Sequence, residues 1–168
     1  VPCQGVEDSE DSGTKAINYR TEPMWFREGY APGADFQTTR DINFADALSN
    51  TLVGGDPVTP VFTAQAGQEV RFRVLQASGH MRGKTFQVHG HQWQREPYVT
   101  EQVPSQRIGD NPLSIVLPAQ EGHGPENHFD IVLEEAGGEN AVTGDYLYRD
   151  QASGGLDGGL WGLMRVTP

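Results

Sequence analysis

Short segments in which apolar and polar residues alternate dominate the chain from residue 60 onward, and this pattern constrains the fold most. In 69–75 the apolar residues Val70, Phe72 and Val74 occupy every second position, and a similar alternation runs through 85–93. A period of two is typical of a strand that buries one face. Further short apolar segments predict strands at 113–117, 129–133, 145–148 and 161–166.

Turn-forming segments separate these predicted strands. Glycine, proline, asparagine and aspartate are the residues that break regular structure, and they cluster at 109–111, 122–125, 137–138 and 154–159. No segment favours a long helix. Six or seven short strands without a long helix predict an all-β sandwich or barrel with Greek-key connections.

The part of the chain before residue 60 is less regular. The segment 16–26 is predicted to form a first strand, which Pro23 interrupts or leaves at a sheet edge. The segment 29–50 is long and polar, and we expect it to lie over one end of the barrel. Within it, 41–48 is predicted to form one or two helical turns with Asp41 as the N-cap.

The bulk properties of the chain exclude several classes of partner. Its 168 residues suit a single domain, which we place at 16–168, preceded by a flexible acidic leader at 1–15. The formal net charge of -11 argues against nucleic acid, because phosphate binding needs clustered Lys and Arg. No apolar segment is long enough to span a bilayer, so we expect no membrane insertion. Cys3 is the single cysteine, so no disulfide forms within the chain.

Three segments, taken in order, resemble a known family. They are GDPVTPVFTAQAGQEVRFRVL at 55–75, GKTFQVHGHQW at 83–93 and GDYLYRDQASGGLDGGLWGLMRV at 144–166. Together they resemble the cupredoxin domains of multicopper oxidases, particularly the large bacterial kind that includes manganese oxidases. The resemblance covers residues 16–167. It implies a cupredoxin-like Greek-key sandwich and an extracytoplasmic location, periplasmic or secreted.

The resemblance also implies that most copper ligands of the family are replaced here. In the family's copper-bearing final domain, a His-Pro-x-His-Leu-His-Gly-His segment aligns with 84–91 and a His-Cys-His segment aligns with 149–151. His89 remains at a ligand position, while His91 matches a histidine that usually is not a ligand. The degenerate positions are Lys84, Gln87, Arg149, Asp150, Gln151, Gly155 and Leu160.

These replacements decide which copper chemistry the domain can support. A type-1 copper centre needs a thiolate and two imidazoles, and Asp150 stands at the position of the cysteine. Arg149 places a positive charge where the family binds a copper ion. We therefore expect no electron transfer or oxygen reduction by this chain alone, and we assign no catalytic residue. Lys84 is predicted to form an ionic contact with Asp150, which needs further hydrogen bonds if it is buried.

His89 and His91 are the remaining candidates for a metal site. They lie two residues apart on a predicted strand, so both imidazoles are expected on one face. With a third ligand, such a pair can bind copper or zinc. The alternative is that both imidazoles are remnants of the family motif and hydrogen-bond to neighbouring groups.

Three functions remain open from the sequence. The first is a non-catalytic cupredoxin-like domain or subunit of a multicopper oxidase, with other cupredoxin domains or subunits as partners. By family resemblance, the parent assembly oxidises metal ions or phenols. The second is a free-standing extracytoplasmic copper- or zinc-binding protein that uses His89 and His91. The third is an enzyme with a new site built from Lys84, Arg149 and Asp150.

Overall fold

The structure describes the chain in seven separate stretches. The computed structural model describes residues 20–30, 43–50, 55–76, 84–97, 111–123, 127–151 and 158–168. The strands are β1 (Phe62–Gln65), β2 (Val70–Leu75), β3 (Lys84–Val88), β4 (Trp93–Gln94), β5 (Val116–Leu117), β6 (Ala119–His123), β7 (His128–Leu133), β8 (Gly144–Asp150) and β9 (Trp161–Thr167). The short helices whose two ends both lie in the described residues are α1 (Met24–Arg27) and α2 (Phe44–Ala47), and a 3₁₀ turn covers Gly138–Asn140.

One five-stranded sheet and two strand pairs make up the described β-structure. The order in the large sheet is β1-β9-β8-β3-β6, with β1 parallel to β9 and the other neighbours antiparallel. β2 pairs with β7 and β4 pairs with β5, both antiparallel. Strands that are adjacent in the large sheet are mostly distant in the sequence. The all-β class predicted from the sequence is confirmed.

The main hydrophobic core lies between the large sheet and the β2–β7 pair. The sheet contributes Phe86, Val88 and Tyr148, and β7 contributes Ile131 and Leu133. The predicted apolar face of β2, formed by Val70, Phe72 and Val74, packs against this core. Because successive strand residues point to opposite faces, the residues between the core positions of β3 and β8 lie on the outer face of the large sheet.

The outer face of the large sheet is covered in part by the two helices. Trp161 and Leu163 of β9 form a second apolar cluster with Met24 of α1 and Ala47 of α2. The indole Nε1 of Trp161 donates a hydrogen bond of 2.6 Å to the carbonyl of Glu22. α1 and α2 are therefore packed against the sheet.

Arg27 connects the segments that cover this outer face. Its side chain is 3% exposed, and the guanidinium lies 5.5 Å from the ring centroid of Trp161. It forms an ion pair of 3.3 Å with Glu22, whose side chain is 7% exposed. It also donates to Asn50 Oδ1 and to the carbonyls of Ala47 and Gly55. The guanidinium thus links α1, α2 and the start of 55–76.

The strand predicted at 16–26 is wrong where the structure describes it. α1 occupies Met24–Arg27, and the carbonyl of Pro23 accepts hydrogen bonds from the backbone N–H groups of Phe26 and Arg27. Pro23 is the N-cap of α1 and keeps an extended conformation, with φ −63° and ψ 146°, so the helix begins at the next residue in place of the interrupted strand that we expected. Residues 16–19 lie outside the described part of the chain.

The helical turns predicted at 41–48 are confirmed, but the predicted N-cap is wrong. α2 spans Phe44–Ala47, and its N-cap is Asn43, whose side-chain oxygen accepts a hydrogen bond from the backbone of Ala45. Asp41 lies outside the described residues. Both Asn and Asp are favourable caps, so composition alone did not distinguish the two positions.

Three strand boundaries also differ from the prediction. The strand predicted at 85–93 ends at Val88, because Gly90 has a φ of +72° and His91 N donates to the Val88 carbonyl in a turn. The strand predicted at 113–117 is reduced to Val116–Leu117. β6 includes residues 122 and 123, which were predicted to form a turn.

Two further expectations concern the acidic leader and membrane insertion. The predicted leader, 1–15, including Cys3, lies outside the described residues. Among the described residues, no helix has the length and apolar composition needed to cross a membrane.

Candidate functional site

Several residues that the sequence resemblance aligns with copper ligands meet where β3 pairs with β8. The antiparallel register places Phe86 opposite Asp150 and Gln87 opposite Arg149. Because directly opposed residues share a face, Asp150 lies on the core side and Arg149 on the outer side. The site proposed from Lys84, Arg149 and Asp150 together is therefore split between two faces of the sheet.

Lys84 and Asp150 form the contact predicted from the sequence. Lys84 Nζ lies 3.8 Å from Asp150 Oδ2, and the two side chains are 9% and 7% exposed. The other carboxylate oxygen of Asp150 accepts a hydrogen bond of 2.8 Å from the backbone N–H of Thr85. A β-bulge between Lys84 and Thr85 shifts the pairing of β3 with β6 at this point. A buried charge pair thus ties the first residue of β3 to the last residue of β8.

Lys84 and Asp150, which the sequence resemblance aligns with copper ligands, do not fit a copper ion. A blue-copper site is built on a thiolate with imidazole ligands, whereas these positions hold an amine and a carboxylate that contact each other. At the axial position, Leu160 is 8% exposed and its carbonyl accepts a hydrogen bond from Asp150 N. Gly155 lies outside the described residues. Throughout the described part of the chain, no group of three His, Cys, Asp or Glu residues is placed to bind a metal ion.

The outer-face positions form a separate polar group. Gln87 and Arg149 are cross-strand partners, and His89 follows Gln87 by two residues, with its backbone N–H bonded to the Leu147 carbonyl. Burial, and to a smaller extent the charge of Arg149, lowers the pKa of His89 below its ordinary value. Gln151 is exposed, and its backbone N–H donates to the Thr85 carbonyl.

His91 is held by hydrogen bonds on both ring nitrogens. Its Nδ1 lies 2.9 Å from the His89 carbonyl, and its Nε2 accepts a hydrogen bond of 2.9 Å from the backbone N–H of Gly137. These contacts require a neutral ring with the proton on Nδ1. The ring also packs edge-on against Tyr146, with centroids 4.7 Å apart. Burial lowers the pKa of His91, and the bond to the His89 carbonyl opposes this shift.

The geometry expected of His89 and His91 is wrong. Both residues follow the end of β3, and Gly90 between them adopts a left-handed turn, so the alternation of a strand does not apply. His91 uses both of its nitrogens within the chain, whereas Nε2 of His89 is buried and has no hydrogen-bond partner. Metal binding by these histidines stays a prediction, with His89 as the residue that has a nitrogen available.

A cavity of about 600 Å³ beside His91 was missed by the sequence reasoning. Trp93 and Val132 line its apolar part, and the exposed residues Glu134 and Glu139 line its polar part. Its walls come from the β3–β4 turn, β5, β7 and the 3₁₀ turn. No local sequence pattern predicts a cavity whose walls are this far apart in the chain.

Comparisons with solved structures return copper proteins of the cupredoxin fold. A multicopper oxidase matches 63% of this chain and 32% of its own, with 11% identity and a TM-score of 0.45. Reduced auracyanin from the photosynthetic bacterium Roseiflexus castenholzii matches 64% of this chain and 83% of its own, with 16% identity and a TM-score of 0.40. A Cu-containing nitrite reductase from Thermus scotoductus SA-01 matches 63% of this chain and 22% of its own, with 19% identity and a TM-score of 0.44.

These likenesses concern the fold alone. The described strands give the chain an all-β fold, and its match spans about a third of the multicopper oxidase and less than a quarter of the nitrite reductase. No family model matches the chain, and no curated protein matches it by sequence. The roles of the residues that the resemblance aligns with copper ligands therefore rest on their contacts within this chain.

Proposed function

We propose that the chain is a non-catalytic cupredoxin-like domain or subunit of an extracytoplasmic multicopper oxidase, periplasmic or secreted. In this proposal, partner domains or subunits bind the copper ions and oxidise metal ions or phenols, and this domain completes the assembly. The observation that carries it is the buried contact between Lys84 and Asp150. These two residues stand at the positions that the family resemblance assigns to a copper-binding histidine and cysteine.

The chemistry of this pair supports a structural role for the former copper position. A copper ion held by residues of two strands cross-links them, and here a cation and an anion connect the same strands, β3 and β8. A buried ion pair needs additional hydrogen bonds to offset the loss of hydration. Asp150 obtains one from Thr85 N, and both members of the pair have further partners.

A group of exposed apolar side chains supports the proposal that this domain contacts partner domains or subunits. Leu113, Ile115 and Val116 are 74%, 57% and 53% exposed, and they lie within four residues of one another at the start of β5. Apolar side chains grouped on a surface are typical of contacts with other protein surfaces. In the proposal, this group faces another cupredoxin domain or subunit.

Copper loading tests the proposal. The chain is incubated with Cu(II) under reducing and non-reducing conditions, desalted, and analysed for metal content, visible absorption and electron paramagnetic resonance. We expect no intense copper–thiolate absorption and no type-1 copper spectrum, because neither Lys84 nor Asp150 provides a thiolate or an imidazole. A type-1 spectrum from the wild-type chain contradicts the proposal.

A free-standing copper- or zinc-binding protein is the second candidate, and the unpartnered Nε2 of His89 favours it. The test is metal content after incubation with Cu(II) or Zn(II) and desalting, for the wild type, His89→Ala and His128→Ala. His128 is exposed at the start of β7 and serves as the matched control. Stoichiometric metal that is lost in His89→Ala and kept in His128→Ala replaces the first proposal by the second. Absence of retained metal in all three chains excludes the second candidate.

A further inference from the structure

Three buried polar atoms without a hydrogen-bond partner lie on neighbouring residues of the outer face. They are Gln87 Oε1, His89 Nε2 and Arg149 Nε. Buried polar atoms in folded proteins are nearly always hydrogen-bonded, so a cluster of exceptions calls for a physical explanation. The atoms belong to the outer face of β3 and β8 and to the residue that follows β3, away from the Lys84–Asp150 pair.

The strand register brings the three side chains together. Gln87 and Arg149 are direct cross-strand partners, which places their Cβ atoms roughly 5 Å apart. His89 continues the same segment and bonds through its backbone to Leu147, two residues before Arg149. Arg149 is close enough for its charge to act on the His89 ring. The three groups thus form one polar patch, which we call the Arg149 patch.

Within the described part of the chain, the guanidinium of Arg149 has no carboxylate as an ion-pair partner, although the sequence is rich in carboxylates. The sequence has 23 Asp and Glu residues against 12 Lys and Arg residues. Arg27, Arg71 and Arg165 each form an ion pair, whereas none of the described carboxylates pairs with Arg149. Asp150, its neighbour in sequence, points to the other face and contacts Lys84. Among the described residues, Arg149 thus differs from these three arginines in having no ion pair.

The donors of the patch match an external anion. The guanidinium is a planar set of donors that fits two oxygens of a carboxylate or a phosphate, and the protonated nitrogen of the His89 ring and the –NH2 group of the Gln87 amide each add a donor. Gln87 Oε1 is an acceptor, so it does not contact the anion itself. Arg149 and His89 are half-buried, so part of each side chain remains accessible. We propose that Gln87, His89 and Arg149 form a binding site for a small oxyanion, either a carboxylate or a phosphate. This site is independent of the role of the domain in an oxidase.

Titration of the labelled chain with anions tests the site. Amide and side-chain N–H signals are followed by ¹H–¹⁵N NMR while inorganic phosphate or sodium acetate is added, with sodium chloride at the same ionic strength as the reference. We expect saturable shifts at the Gln87 side-chain amide and Arg149 Nε–H with phosphate or acetate, beyond those with chloride. Saturation by acetate alone identifies a carboxylate ligand, and saturation by phosphate alone identifies a phosphate ligand.

Two arginine variants provide the matched comparison. Arg149→Gln removes the charge and is expected to weaken binding roughly tenfold or more, the loss of one charge-assisted hydrogen bond. Arg73→Gln removes an exposed arginine on β2 and leaves binding unchanged. If Arg149→Gln does not fold, Arg149→Lys retains the charge but loses the planar fork, and it is expected to bind less tightly than the wild type. Shifts equal to those with chloride, or shifts distributed over the surface of the wild-type chain, overturn the proposal.

Discussion

Lys84 Nζ and Asp150 Oδ2 lie 3.8 Å apart in the interior of the domain, at the junction of β3 and β8. Both positions correspond, by resemblance, to ligands of a type-1 copper site. The distance between Nζ and Oδ2 is too long for a direct hydrogen bond. The stabilising effect of the pair therefore depends on the two charges and on the other partners of the two groups. This relationship gives the domain a connection between strands that does not need a metal ion.

Arg27 is predicted to be the main link between the N-terminal segment and the sheet. Arg27→Met removes its ion pair with Glu22 and leaves that buried carboxylate without its cation. We expect a loss of about 3–5 kcal/mol in the free energy of unfolding, measured by urea denaturation. Arg73→Met, at an exposed position, is the control and is expected to change stability by less than about 0.5 kcal/mol. Equal effects of the two substitutions would contradict this role of Arg27.

Gly162 is predicted to be required by the packing of Tyr148. A Cβ atom at position 162 comes within 2.2 Å of the Tyr148 hydroxyl oxygen and 2.3 Å of its Cζ. Gly162→Ala is expected to destabilise the domain by about 1–3 kcal/mol, because Tyr148 is buried and its ring has to move. Tyr148→Leu removes the clash, so the double variant is expected to lose less stability than the sum of the single variants. Additive losses in urea denaturation would show that the two residues do not interact.

His91 is predicted to make stability depend on pH. Its pKa is lowered in the folded state, chiefly by burial, so the unfolded chain takes up the proton more readily. The contribution of His91 is therefore complete above its ordinary pKa of 6.5 and decreases as the pH falls below that value. Urea denaturation at pH 7.5 and 5.5 measures the difference.

A variant separates His91 from the other titrating groups. His91→Gln keeps an acceptor for Gly137 N–H but cannot be protonated, so it is expected to lose less stability between pH 7.5 and 5.5 than the wild type. His128→Gln, at an exposed site on β7, is the control and is expected to retain the wild-type difference. A pH difference that is the same in all three chains excludes the role of His91.

The pKa of His89 is predicted to report its contact with Arg149. Burial is the larger cause of the lowered pKa and the charge of Arg149 is the smaller one. Arg149→Gln is therefore expected to raise the pKa of His89 while leaving it below the ordinary value of 6.5. An NMR titration of the imidazole signals measures this change. An unchanged pKa would mean that the charge of Arg149 does not reach His89.

The sequence predicted the strands in which buried and exposed residues alternate because one face of the sheet packs against the core. The alternation in β2, with Val70 and Phe72 turned to the core, is present because one face packs and the other meets solvent. The contact of Lys84 with Asp150 was also predicted, because the family resemblance placed both residues around one position. The strand is thus predictable from a local pattern of residues, and the contact is predictable from the alignment with the family.

The failures lie where a few tertiary contacts override the local pattern. α1 has four residues, and its position depends on Arg27 and Trp161, which are far apart in the sequence. The prediction that His89 and His91 share one face of a strand is wrong because Gly90 adopts a left-handed conformation. The alternation of residues in the sequence does not indicate this conformation. The hydrogen bond from Gly137 N to His91 joins residues 46 positions apart, and no spacing rule predicts it.

The interaction between Lys84 and Asp150 is measured most directly by a double-mutant cycle. The four chains are the wild type, Lys84→Met, Asp150→Asn and the double variant, and the free energy of unfolding is measured by urea denaturation. Each single variant removes one charge of the buried pair and is expected to lose about 3–5 kcal/mol, while the double variant recovers a large part of that loss. Arg71 and Asp130, an ion pair of 2.6 Å with more exposed side chains, form the control cycle, with an expected coupling below about 1 kcal/mol.

The coupling energy of the Lys84–Asp150 cycle decides whether the pair stabilises the contact between β3 and β8. We predict a stabilising coupling of about 1.5 kcal/mol or more, larger than that of the control pair. Losses that add to within about 0.5 kcal/mol would contradict the account, since Lys84 and Asp150 would then be neighbours that do not connect β3 to β8.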